Sequence, residues 1–148
     1  MNILEEIKKE HDQYRDLLEE LADTDRRHTN ERKEKFEELR REVKAHHEAE
    51  EHTLFERLQK EEEAKFEVLE SIEEHHVLED LLKKIEDTAE DDETWGPKLQ
   101  VLKEILEHHM DEEEDEVFEK SKDLLSDDEL ESLREDFESK KSEEKDKM

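Results

Sequence analysis

"HHEAEEHTLF" (residues 46–55) and "HMDEEEDEVF" (109–118) share one pattern, H-x-x-x-E-E-x-x-[LV]-F. A His and a Glu four residues apart lie on one face of an α-helix, one turn from each other. In both stretches that face is otherwise apolar. Phe36, Leu39 and Val43 precede His46, and Leu54 and Leu58 follow Glu50; Leu99, Leu102 and Leu106 precede His109, and Val117 follows Glu113. The histidine and the glutamate therefore interrupt a core-facing stripe instead of decorating a wet surface.

Two earlier stretches repeat the idea with a single histidine. "KEHDQYRDLLEEL" (9–21) places His11 in line with Leu4, Ile7, Tyr14, Leu18 and Leu21, and "EEHHVLEDLLKKI" (73–85) places His75 in line with Val68, Ile72, Leu78, Leu82 and Ile85. The order H, H-x-x-x-E, H, H-x-x-x-E makes the chain a twofold repeat of a helical hairpin.

Composition supports long helices. Of 148 residues, 53% are charged and only 29% hydrophobic, a balance that in an unpatterned chain would signal disorder. The helical periodicity, with one Gly and one Pro, reverses that reading. A net charge of -28 argues against nucleic acid and anionic membrane as partners. With no cysteine there is no disulfide, thiolate metal site or thiol nucleophile. No run approaches the ~20 apolar residues of a membrane span, and the N-terminus lacks a signal-peptide core, so a cytoplasmic protein is expected.

The pattern predicts a first helix capped by Asn2, a loop over 23–30 with Thr29 or Asn30 capping the next helix, a second helix over about 30–60 and a third over about 62–88. A loop over 90–97 leads into a fourth helix, with Pro97 in its first turn and Trp95 plugging the end of the bundle. The fold expected is all-α: an up-down-up-down four-helix bundle over 1–125, followed over 126–148 by a short accessory helix starting at "SDDE" and a charged tail frayed from about Ser139. Counted from the loops at ~1.5 Å per residue, the polar interruptions of all four stripes fall within roughly 3 Å of one height.

Buried carboxylates and imidazoles are costly unless paired or bound to a metal. His11, His46, His75 and His109 with Glu50 and Glu113 form a donor set suited to first-row transition metals. If both glutamates bridge, each of two metals receives two imidazoles and two carboxylate oxygens; a bridging oxide or hydroxide makes a fifth ligand and leaves a position open. Nearby glutamates would accept the remaining imidazole N–H groups.

These motifs resemble the hemerythrin-like family, also called the HHE cation-binding domain, over about residues 3–120. The resemblance implies a four-helix bundle holding two non-haem iron ions with a bridging oxo or hydroxo group, with His11, His46, Glu50, His75, His109 and Glu113 as ligands. Respiratory members carry a fifth histidine one turn beyond the third-helix histidine; here that place is Glu79, read either as an extra ligand or as a hydrogen-bond acceptor. The substitution speaks against reversible oxygen carriage. His47 occupies the place where some relatives have a further ligand, although a flanking surface position is the favoured reading. His28, His52, His76 and His108 are expected at the surface, and Tyr14 in the core or bonded to a metal-bound ligand.

Alternatives fit less well. Only Glu73 and His76 match the Glu-x-x-His spacing of ferritin-like diiron proteins, and no His-Glu-x-x-His motif of a zinc protease is present. The implied function is binding or sensing of a small ligand such as O2, NO or peroxide; a sensing role would need a protein partner. The alternatives are a diiron redox enzyme, or a protein of iron handling and iron-centre repair under oxidative or nitrosative stress. A structural or metal-buffering bundle is the third class.

Overall fold

The computed structural model describes residues 1–148, and its regular elements are all helices. Helix α1 (Ile3–Ala22) starts at Asn2, whose side chain accepts from Glu5 N at 3.0 Å while Glu5 Oε1 accepts from Asn2 N at 3.0 Å. This reciprocal cap is the one expected from the sequence. Helix α2 (Thr29–His52) starts differently: neither Thr29 nor Asn30 caps it, and His28 stands at the cap position without a side-chain bond to the helix's own N–H groups. The turn before it is closed by other means. His28 Nδ1 accepts from Asp25 N, and the buried Arg32 donates to Thr24 Oγ1 and the Glu90 carbonyl.

The expected second helix is broken at Thr53 (φ -125°, ψ -90°), where the hydroxyl donates to the Ala49 carbonyl, and resumes as α3 (Leu54–Leu58). Helix α4 (Glu62–Glu86) and helix α5 (Trp95–Glu112) complete the bundle. After α5 the chain passes through one π-helical turn (Glu113–Val117) into α6 (Phe118–Leu124). Such turns insert an extra residue into a helix and occur preferentially at functional sites. Trp95 is buried against Phe36 and under the Arg32 guanidinium, 4.4 Å from its ring centroid, and closes one end of the bundle as expected.

The apolar core is in two pieces. One, toward the α2–α4 connection, is built from residues such as Ile3, Ile7, Leu54, Phe55, Leu58, Val68, Val117 and Phe118. The other, toward the Trp95 end, is built from Tyr14, Leu18, Leu39, Val43, Leu78, Leu102 and Leu106 among others. The layer between them contains the buried histidines and glutamates.

The C-terminal segment departs from expectation. Helix α7 runs over Asp127–Asp146, far beyond Ser139, and packs along α1 and α2. Its apolar content is small, and ion pairs extend its docking: Lys141 Nζ lies 2.9 Å from both Glu10 and Glu42, and Lys145 Nζ lies 2.6 Å from Glu42. An apolar-periodicity reading has no access to such pairs, which explains the frayed tail it predicts. Phe137 of α7 is fully buried in the first apolar cluster. Phe137→Ala should therefore cost about 3 kcal/mol or more in urea unfolding, whereas a change below about 0.5 kcal/mol would show that α7 is no part of the core.

Candidate metal centre

Seven side chains meet in the polar layer. His11 comes from α1; His46, His47 and Glu50 come from α2; His75 comes from α4; His109 comes from α5; and Glu113 opens the π turn. None is more than 2% exposed. They form two groups, His11–His46–Glu50–Glu113 and His47–Glu50–His75–His109, in each of which the donor atoms lie within 4.8 Å of one another.

The glutamates join the groups. Glu50 Oε1 is 3.5 Å from His46 Nε2 and 3.4 Å from His75 Nε2. Glu113 Oε1 is 3.6 Å from His11 Nε2, and its Oε2 is 3.6 Å from His109 Nε2.

A ring of carboxylates fixes the imidazoles from outside. His11 Nδ1 meets Glu114 at 2.7 Å, His46 Nδ1 meets Glu10 at 2.8 Å, His75 Nδ1 meets Glu51 at 2.7 Å and His109 Nδ1 meets Glu74 at 2.6 Å. An ionised carboxylate only accepts, so opposite it Nδ1 carries the proton and Nε2 turns a lone pair inward. The twofold repeat is visible in these bonds. Glu10 and Glu74 precede the first histidine of each hairpin and serve the second; Glu51 and Glu114 follow the H-x-x-x-E glutamate and serve the opposite hairpin.

The inner atoms have no such partners. Both oxygens of Glu50, both of Glu113, Nε2 of His46, His75 and His109, and Nδ1 of His47 are buried without a hydrogen bond. An unsatisfied buried polar atom costs about 1–3 kcal/mol. Eight lone-pair donors facing one another fit a pair of cations, and their nitrogen and oxygen character suits first-row transition metals.

His47 corrects the favoured surface reading. Its ring stacks on His75 at 3.6 Å between centroids and 10° between planes, and it is as buried as its neighbours. At this level α2 is enclosed on several sides: Ala45, His46, His47, Ala49 and Glu50 are all buried because α1, α4 and α7 surround it. The available signal was the pair of alanines flanking His46–His47 in a chain otherwise dense in charge. Glu79 belongs to neither group; it is half-buried one turn after His75 and lines a surface cleft with Arg40, Lys44 and Lys83. Tyr14 also points away, its hydroxyl lying 3.2 Å from the Glu42 carbonyl and 3.3 Å from Glu10. His28, His52, His76 and His108 are exposed as expected.

Burial selects neutral forms of the inner groups. It pushes Glu50 up to about 8 and Glu113 well above the usual carboxyl range, the second carboxyl adding to the rise at Glu113. It also holds His47 and His75 well below the usual imidazole value and His11 down to about 3. The outer carboxylates divide. Burial would raise Glu10, but the His46 hydrogen bond and Lys141 outweigh it and hold it at about 2. Burial, with Glu48 and Glu79 close by, pushes Glu51 up to about 7.

These shifts set the pH dependence of the metal-free protein. Between about 4.5 and 8 the folded state keeps a Glu50 proton that the unfolded chain has lost, so stability falls as pH rises through that window. His11 acts oppositely, but only between about 3 and 6.5. In chelator, Glu50 alone should cost the protein about 1–2 kcal/mol between pH 6.5 and 8, with Glu113 and Glu51 adding in the same direction, and Glu50→Gln should make that slope shallower. Urea midpoints that stay level or rise over this range would contradict the assignment.

The comparisons with known proteins agree with this geometry. The chain aligns over 99% of its length with the crystal structure of a hemerythrin HHE cation-binding domain-containing protein from Mycobacterium kansasii, covering 89% of that chain at a TM-score of 0.86 and 22% identity, a likeness of fold. Comparison with curated proteins gives no match. The family model for the hemerythrin HHE cation-binding domain matches residues 2–121. With its two buried His/Glu groups inside that span, the chain belongs to the hemerythrin HHE cation-binding family.

Proposed function

We propose that the chain holds two non-haem iron ions and through them binds or senses a small ligand: O2, NO or peroxide. The carrying observation is the set of eight orphaned donor atoms in two groups that share Glu50. His11 and His46 would serve one iron, His47, His75 and His109 the other, with Glu50 and Glu113 between them. His47 then supplies the fifth imidazole that Glu79 does not. Iron in such a site offers two oxidation states and a coordination position free for exchange.

The protein's own contribution is positional. The four outer carboxylates lock the imidazole tautomers and orient the rings. Phe55 and Phe137 pack against His75 and His46 and keep water from that side. The group with His11 and His46 has one imidazole fewer, so it is the place for an incoming ligand. Enclosure of all seven residues supports a ligand of two or three atoms over a larger substrate. It also weighs against iron donation, because release would require the helices to part.

Anaerobic reconstitution with ferrous iron followed by air should yield about two irons per chain and near-ultraviolet oxo-to-iron absorption. His47→Ala and His75→Ala should each fall to about one iron or less, while Glu79→Gln should keep both. One zinc per chain, or no metal, in protein grown with ample iron would sink the proposal. An adduct that bleaches on degassing indicates reversible binding, and oxygen evolved from peroxide indicates peroxide chemistry.

A further inference from the structure

The outer ring breaks the twofold symmetry of the inner groups. Glu114, which holds His11, also receives Arg15 Nη2 at 2.8 Å, and Glu10, which holds His46, also receives Lys141 Nζ at 2.9 Å. Both histidines of the first group therefore end in a His–carboxylate–cation chain. Glu51 and Glu74, which hold His75 and His109, have no Lys or Arg within 4.0 Å. The contrast lies in the repeat itself. Arg15 stands four residues after His11, and the corresponding residue four after His75 is Glu79, of opposite charge. Lys141 has no counterpart in the second hairpin, because α7 packs chiefly along α1 and α2.

A carboxylate that accepts from Nδ1–H makes the imidazole a stronger donor at Nε2. A cation on that carboxylate draws part of this effect away, and it also repels a metal ion across a poorly screened interior. The two effects act in the same direction.

We propose that Arg15 and Lys141 act as positioning and charge-setting residues that make the two metal positions unequal. The His47–His75–His109 position is tight and fills first; the His11–His46 position is loose and exchanges its divalent ion. This rests on the reading of two metal positions. The extra imidazole of His47 favours the same order, so order alone does not separate charge from donor number. Removing the cations does, because it leaves every donor in place.

The test is a stepwise Zn²⁺ titration of the metal-free full chain, labelled with 15N at histidine, with ring resonances reporting which imidazoles bind at each equivalent. His75 and His109 should respond to the first equivalent, and His11 and His46 to the second. Arg15→Met and Lys141→Met should each tighten the second equivalent roughly three- to tenfold and leave the first unchanged; Lys141→Arg should behave as wild type. A purely structural role would loosen α7 or α1 and weaken binding, and unchanged constants would leave donor number as the sole cause; either result overturns the proposal. Arg15 is near the surface of α1 and independent of α7, so Arg15→Met decides the matter if Lys141→Met fails to fold. Saturation at one equivalent would remove the two-metal reading with it, whereas two equivalents that load together would overturn only the inequality.

Discussion

Between two apolar clusters lies a layer in which eight nitrogen and oxygen atoms face one another without a hydrogen bond. Each unsatisfied group costs about 1–3 kcal/mol, so in the metal-free chain the layer opposes folding, and that cost is set against a total stability of about 5–15 kcal/mol for a typical domain. Protonating the carboxyls and keeping the imidazoles neutral lowers that cost without removing it. Cations in the layer would reverse its sign. The outer carboxylates, the breaks in helix geometry and the fifth long helix can all be understood as means of holding this layer in place.

The breaks are matched. In each hairpin the regular helix fails a few residues from the inward glutamate, at Thr53 after Glu50 and in the π turn that begins at Glu113. Both lie just ahead of the aromatic residue of the repeated motif, Phe55 or Phe118, which packs into the same apolar cluster. The repeat thus extends from sequence to backbone. What is not repeated is equally specific: His47 has Met110 as its counterpart, Arg15 has Glu79, and α7 packs chiefly along the first hairpin.

The bundle, the polar layer and six of its seven members were legible because each lies on an apolar stripe of helical period. His47 was not, since a single stripe describes a helix with one buried face, and α2 is buried on several sides at that level. Glu79 was over-read: its spacing from His75 is that of an inward position, yet the side chain opens to a surface cleft. The length of α7 was hidden because Lys141 and Lys145 dock it through charge, which in so acidic a chain looks like ordinary surface. The Thr53 break and the π turn carry no glycine or proline to announce them.

The central claim is that the layer is completed by two metal ions that share Glu50 and Glu113. A crystal structure of the iron-loaded protein with anomalous scattering at the iron edge tests it directly. Two peaks are expected, one among His11, His46, Glu50 and Glu113, the other among His47, Glu50, His75 and His109, with Glu113 reaching both. A single peak, or two peaks with His47 turned away from both, would contradict the account.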